Sequence, residues 1–96
     1  MRKEIIATGK DFQGDQYVLC WLPAKYEFAS WFIGAREKYY HGRYFNSFKD
    51  AVDDFKRRVC LDEEGSKIDW KVPSNWNEAQ VVLYFELEAQ GGEVND

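Results

Sequence analysis

Hydrophobic and polar residues alternate along the first 45 positions in four short runs, each bounded by turn-forming residues. The runs are EIIATGKDF, QYVLCWL, YEFASWFIG and YYHGRYF. β-Branched and aromatic residues fill them, and Gly14, Asp15 and Pro23 fall between them, which is typical of strands joined by tight connections. The pattern predicts a meander of four antiparallel strands within residues 3–45.

The third run carries aromatic rings at both odd-numbered and even-numbered positions. Phe28 and Phe32 alternate with Trp31, and successive side chains of a strand point to opposite faces of the sheet. Both faces of this strand therefore need at least partial cover. We expect it to be an internal strand.

A different period begins at residue 47. One stripe with the spacing of an amphipathic helix contains Phe48, Ala51, Val52, Phe55 and Val59. Ser47, or alternatively Asn46, suits the N-cap position, and Gly65 is a C-terminal stop signal. The spacing predicts a helix over about 47–61. Asp54 and Arg58, four residues apart, predict an ion pair on its polar face.

The last third of the chain permits two interpretations. SKIDWKV, residues 66–72, is compatible with a short strand. QVVLYFELE alternates well and predicts a final strand at about 80–88, but a helix over 75–89 also fits its apolar spacing. Residues 90–96 read as a flexible tail.

These elements together predict the fold class. The 96 residues suffice for one hydrophobic core and a single domain, 1–96, and the aromatic content of 18% supplies large side chains to fill it. We expect an α+β fold, with an antiparallel sheet of four to five strands and one main amphipathic helix packed on one face.

Apolar runs and cysteines bear on the compartment. The first residues contain no long apolar stretch, and no segment approaches the ~20 apolar residues that span a bilayer. Cys20 and Cys60 lie far apart and form no motif, which favours buried free thiols. We therefore expect a cytoplasmic protein without a membrane partner.

Residues suited to catalysis or metal binding are few. His41 is the single histidine, and the spacing around it supplies neither an orienting group nor a nucleophile. One His and two distant Cys do not make a zinc site, and no phosphate-binding glycine motif is present. We expect no enzyme activity, no cofactor and no metal.

Charge is distributed unevenly. Residues 1–61 hold eleven Lys and Arg against eight Asp and Glu, whereas residues 62–96 hold two against nine. This asymmetry indicates either a solvated acidic tail or an acidic surface that meets a basic partner. For the second case, the predicted partner-binding residues are Asp62, Glu63, Glu64, Asp69, Trp70, Trp76 and Glu78. The two tryptophans are interface anchors in this hypothesis, and in the alternative they fill the gap between helix and sheet.

Direct nucleic-acid binding is the competing hypothesis. Cations and rings alternate around the fourth strand, as in proteins that bind single strands, and the residues concerned are Arg36, Lys38, Tyr40, Arg43 and Tyr44. The pI of about 5.0 argues against this reading.

Two stretches carry a resemblance to known proteins. EIIATGKDFQGDQYVL, residues 4–19, and YYHGRYFNSFKDAVDDFKRR, residues 39–58, resemble small accessory proteins of bacterial phages and mobile elements. Some compact acidic proteins of such elements are anti-CRISPR inhibitors. The resemblance implies a protein inhibitor or adaptor, whose partner is an RNA-guided nuclease or another nucleic-acid-binding protein. Independently of this resemblance, the sequence leaves a homodimer open.

Overall fold

The protein is represented by a computed structural model that describes residues 2–59 and 67–90. A one-turn 3₁₀ helix, Ala35–Glu37, precedes the fourth strand. The main elements, in chain order, are β1 (Glu4–Lys10), β2 (Gln16–Leu22), β3 (Glu27–Ile33), β4 (Tyr39–Phe45), α1 (Phe48–Val59), β5 (Lys67–Trp70) and α2 (Glu78–Gln90).

The five strands form one antiparallel sheet in the order β4-β3-β2-β1-β5. The first four are the predicted meander, and the short segment around residues 67–70 adds a fifth strand on the outer side of β1. As predicted, β3 is internal, between β2 and β4. The predicted α+β class is confirmed, with α1 packed across one face of the sheet.

The predicted stripe of α1 is the face that it buries. Phe48, Ala51, Phe55 and Val59 are all buried, as the 3.6-residue period requires for a helix lying on a sheet. Trp21 and Phe28 meet them from the sheet, and the Phe28 and Phe48 rings lie 5.3 Å apart. Rings of this size each bury roughly 150–250 Å² and dominate a small core.

Ser47 caps α1. Its Oγ accepts a hydrogen bond from the backbone N–H of Asp50 at 3.3 Å, and its carbonyl accepts the first intrahelical bond, from Ala51 N–H. This satisfies one of the free amide groups of the first turn. The start of the predicted helix is confirmed, while the predicted end at residue 61 lies outside the described residues.

The predicted final strand at 80–88 is wrong, because this segment forms α2, the competing interpretation. Val81, Val82 and Phe85 point into the core, a spacing that belongs to one side of a helix rather than to alternate positions of a strand. Val81 N–H also donates to the carbonyl of Asn77 at 3.1 Å, the bond that starts a helix. Residue 90 of the predicted tail ends α2, and 91–96 lie outside the described part of the chain.

Candidate functional site

The acidic and aromatic residues predicted to bind a partner do not form one surface. On the edge strand β5, Trp70 pairs in register with Ala7 and packs against the core, while Asp69 pairs with Thr8 and points to the opposite face. Asp69 is exposed and forms an ion pair with Lys71, Oδ2 to Nζ, at 2.8 Å. The two neighbours therefore face different environments.

The remaining predicted residues lie beside α2 or outside the described ranges. Trp76 is half-buried against the core, and its ring meets that of Tyr84 edge-on at 5.6 Å. Glu78 is the first residue of α2 and partly exposed. Asp62, Glu63 and Glu64 fall in the segment 60–66, which the structure does not describe.

A reciprocal pair of side chains fixes the start of α2. Asn77 Oδ1 accepts from the backbone N–H of Gln80 at 3.0 Å, and Gln80 Oε1 accepts from the backbone N–H of Asn77 at 2.9 Å. This is a capping box built from Asn and Gln. It sets where the helix begins and hence which side chains turn away from the core.

The side of α2 that faces water is unusually apolar. Leu83 is 56% exposed and Leu87 is 54% exposed, one turn apart on the same helix face. Tyr26, in the β2–β3 connection, is 58% exposed. A helix of a single globular domain normally carries polar residues on its outer side, so this apolar surface calls for an explanation.

Tyr26 and α2 enclose a shallow groove. Its volume is about 420 Å³, and it is lined by Tyr26, Glu78, Ala79, Val82, Leu83 and Glu86. Leu83 forms part of its apolar wall, and the two glutamates are the carboxylates that line it. We call this groove, together with Tyr84, Leu87 and Glu88, the α2 surface.

α2 carries acidic side chains and no basic ones. The helix contains Glu78, Glu86 and Glu88, and its sequence from 78 to 90 has no Lys or Arg. An exposed glutamate facing water is ordinary, but three with no cation on the same helix create a local negative field. α2 therefore presents acidic and exposed apolar side chains together, and the predicted residue Glu78 belongs to it.

The residues of the nucleic-acid hypothesis separate onto both faces of the sheet. Tyr40 pairs with Phe32 and Arg43 with Ser30, on the side that carries α1, whereas Tyr44 pairs with Ala29 on the opposite side. Arg36 and Lys38 are exposed at the turn between β3 and β4. One ligand cannot contact all five through a single face.

On the face away from α1, three rings form a cluster. Trp31 lies 5.2 Å from Tyr39 and 5.8 Å from Tyr44 between ring centroids, and Lys3 Nζ lies 5.0 Å from the centre of the Tyr39 ring. Burial raises the pKa of Tyr39. The rings at both parities of β3 signalled this cluster, although Trp31 and Tyr39 were not predicted as site residues.

Ionisable groups give little support for metal chemistry in the described ranges. Residues 2–59 and 67–90 contain no cluster of three His, Cys, Asp or Glu side chains suited to a metal ion. Cys20 is a buried free thiol, and burial raises its pKa to about 12.

Neither helix in the described part of the chain is long and apolar enough to cross a membrane.

Comparison with protein-family models, with curated proteins and with solved structures finds no match to this chain.

Proposed function

We propose that the chain is a non-enzymatic protein-binding module that docks a basic, apolar segment of a partner protein on the α2 surface. One observation carries the proposal: Leu83 and Leu87 are each more than half exposed, one turn apart, on a helix with three glutamates and no cation. The partner segment supplies apolar side chains for the groove and Lys or Arg for its rim.

The energetic argument rests on the exposed leucines. Full burial of a leucine side chain contributes ~1.5–3 kcal/mol, and protein interfaces concentrate their binding energy in a few such anchors at the centre of the contact. Leu83 and Leu87, together with Tyr84, which is 36% exposed, provide apolar surface of this kind within two turns of α2. Tyr26 closes one side of the groove and contributes an aromatic wall.

Charge decides which occupant fits. A second copy of α2 would bring glutamates against glutamates, because the helix has no cation to pair with them, and like charges at an interface cost binding energy. A segment with Lys or Arg beside its apolar residues meets Glu78 and Glu86 at the rim of the groove. Charge complementarity therefore favours a basic partner over self-association.

The partner class we favour is a nucleic-acid-handling protein, with the chain acting as its inhibitor. Proteins of this class carry basic surfaces for phosphates, and an acidic surface with apolar anchors competes for the same cations. The RNA-guided nuclease implied by the resemblance of residues 4–19 and 39–58 is the narrowest form of this proposal. The inhibitor proposal is supported by the charge and the shape of the α2 surface, and it involves no catalytic step.

Three synthetic peptides of equal length test the docking. The first is an amphipathic helix of Leu and Lys, the second replaces Lys with Glu, and the third keeps Lys but replaces Leu with Ser. Titrations of ¹⁵N-labelled protein, followed by amide chemical shifts, should show binding of the first peptide alone. The shifts should lie in α2 and around Tyr26.

Variants with matched exposure localise the contact. Leu83→Ser combined with Leu87→Ser should weaken binding of the Leu/Lys peptide at least tenfold. Phe12→Ser is the control, because Phe12 is 73% exposed in the β1–β2 connection, away from α2. The affinity of this variant for the Leu/Lys peptide should stay within twofold of wild type. Equal affinities for the double variant and wild type would overturn the proposal. So would a concentration-dependent dimer that the double variant abolishes, since the occupant would then be a second copy.

The inhibitor role requires its own measurement. A host protein that is captured by wild type and not by the Leu83→Ser/Leu87→Ser variant should lose affinity for nucleic acid when the chain is bound. If that protein binds its nucleic acid equally well in the complex, the inhibitor role is wrong even though α2 still docks a partner.

A further inference from the structure

A second concave site lies on the α1 side of the sheet, next to the last turn of α1. Its volume is about 420 Å³, and it is lined by Tyr17, Phe32, His41, Arg43 and Arg58. We call it the basic corner. It shares no residue with the α2 surface, and it combines two guanidinium groups, an imidazole and two aromatic rings.

Arg58 reaches this site because its side chain crosses over the sheet. Its Nη1 donates to the carbonyl oxygen and to Oγ of Ser30, each at 3.0 Å, and its Nη2 donates to the carbonyl of His41 at 2.7 Å. The predicted pair with Asp54 is replaced by these contacts to β3 and β4. A guanidinium fixed by three hydrogen bonds is already oriented before a ligand arrives, which lowers the entropic cost of binding.

Arg43 supplies the second cation, from β4. Its Nη1 donates to Asp54 Oδ1 at 2.7 Å, and its side chain is 56% exposed. Arg57 also approaches Asp54 Oδ1, at 3.8 Å. One buried carboxylate therefore stands among three arginines at this end of the corner. At the other end, the Tyr17 hydroxyl donates to Asp11 Oδ2 at 3.5 Å, so the positive charge is concentrated at Arg43 and Arg58.

Burial is the main influence on the ionisation of Arg58, and the second is the charge of Arg43. Burial and the neighbouring charge of Arg43 lower the pKa of Arg58, against the opposing effect of Asp54. Two guanidinium groups that face one cavity repel each other, and an anion placed between them relieves the repulsion. Arginine is well suited to this role, because its planar fork matches phosphate oxygens in a bidentate arrangement.

The rings of the corner form a wall for a flat group. Tyr17 and Phe32 meet edge-on at 5.7 Å and are half-buried, so each keeps part of its surface open. The Arg58 guanidinium lies 5.5 Å from the centre of the Tyr17 ring. Half-open aromatic rings next to arginines are the arrangement on which bases stack in single-strand binders.

The backbone at His41 is unusual for a strand. His41 lies in β4 with φ of 58°, in the left-handed region that few non-glycine residues adopt. The same place is a register irregularity between β3 and β4. The carbonyl of His41 accepts from Arg58, and its ring lies 6.2 Å from that of Phe32. Strained residues of this kind concentrate at binding sites, where the surrounding contacts hold them in place.

We propose that the basic corner binds a nucleotide, with its phosphate between Arg43 and Arg58 and its base against Tyr17 and Phe32. This goes beyond the docking of a partner on α2 and does not depend on it. Inorganic phosphate would use the arginines alone and a nucleoside the rings alone, so the combination of both favours the nucleotide. The source is either a free mononucleotide or a nucleotide within a single strand.

Four probes test the site: adenosine 5′-monophosphate, inorganic phosphate, adenosine, and a ten-residue oligodeoxyadenylate. In titrations followed by amide chemical shifts, the mononucleotide should bind at least tenfold more tightly than phosphate or adenosine, with shifts at residues 17, 32, 41 and 58. Tighter binding of the oligonucleotide, weakened by added salt, would identify the strand as the source. Equal affinity per nucleotide would identify the free nucleotide.

Variants separate this site from general charge attraction. Arg43→Gln should weaken mononucleotide binding at least tenfold, whereas Lys56→Gln, which removes an exposed cation of α1 that does not line the corner, should change it less than twofold. Leu83→Ser/Leu87→Ser should leave it unchanged, so failure of one proposal is distinguishable from failure of the other. Equal losses in Arg43→Gln and Lys56→Gln would overturn the site, as would shifts that avoid Tyr17 and Phe32. If Arg43→Gln does not fold, the wild-type protein provides the test. Amide chemical shifts on adding the mononucleotide should then change at residues 17, 32, 41 and 58, and their absence there would overturn the site.

Discussion

Replacing Asn77 with alanine tests whether the capping box holds α2 in place. The substitution removes Oδ1, the acceptor for Gln80 N–H at 3.0 Å, while the backbone N–H of residue 77 remains as the donor to Gln80 Oε1. Both residues are exposed, so water takes up part of the lost bonding. Loss of an N-cap costs about 1 kcal/mol, and we expect the free energy of unfolding to fall by that amount.

The expected loss is measurable in thermal and urea unfolding followed by circular dichroism. For a domain of this size, 1 kcal/mol lowers the Tm by ~4–8 °C. Gln80→Ala removes the other bond, which the backbone N–H of Asn77 donates to Gln80 Oε1. It should cost less than Asn77→Ala, because alanine has a higher helix propensity than glutamine inside the first turn. Because the two residues bond to each other, the double variant should cost less than the sum of the single ones.

Two control variants make the reasoning refutable. Asn77→Asp keeps the acceptor and adds a negative charge at the helix N-terminus, so it should retain the stability of the wild type or exceed it. Asn75→Ala changes an exposed neighbour in the preceding turn and should have little effect. If Asn77→Ala matched Asn75→Ala within ~0.3 kcal/mol, the capping box would not stabilise the chain.

Two further outcomes are expected. In a Cys60→Ser background, Cys20 should react with a thiol reagent at pH 8 about a thousandfold more slowly than an unfolded peptide thiol. The reason is that the thiolate is the reactive form and burial raises the pKa of Cys20 from 9.0 to about 12. Labelling at the rate of the peptide thiol would contradict the buried environment of Cys20. Gly42→Ala should destabilise the fold by ~1–3 kcal/mol and shift the tryptophan emission, since the added Cβ would stand 2.7 Å from Trp31 Nε1 and 2.9 Å from Tyr44 Oη. An unchanged thermal unfolding curve would show that the ring cluster is not tightly packed.

Much of the fold follows from local periodicity. The period-2 runs before residue 45 and the 3.6-residue stripe from Phe48 to Val59 differ clearly, and the structure places both as predicted. The segment 80–88 fits both periods, because Val81, Leu83, Phe85 and Leu87 alternate while Val81, Val82 and Phe85 share a helix face. The capping pair Asn77 and Gln80 favours the helix, and so does the burial of Val81, Val82 and Phe85 on one side of it. Neither is part of the alternating pattern.

The sites depend on contacts that local rules do not describe. Arg58 and Asp54 have the spacing of a helical ion pair, yet Arg58 bonds to Ser30 and His41, which are 28 and 17 residues away along the chain. Likewise, Asp69 and Trp70 are adjacent in sequence and face opposite sides of the edge strand. Residue type identified groups able to bind, but only the register of the sheet determines which of them meet.

The net charge of −4 does not decide between a protein partner and a nucleotide. Charges in water act over about 8 Å at physiological ionic strength, so the glutamates of α2 and the arginines of the basic corner are each felt mainly by a ligand in contact with them. A duplex brings many phosphates near both the α2 surface and the basic corner. The glutamates of α2 then repel the duplex while the arginines of the corner attract it. A mononucleotide or a short single strand meets the corner alone. The basic corner should therefore bind short single-stranded ligands in preference to duplex, and a duplex that bound more tightly than the matched single strand would contradict this account.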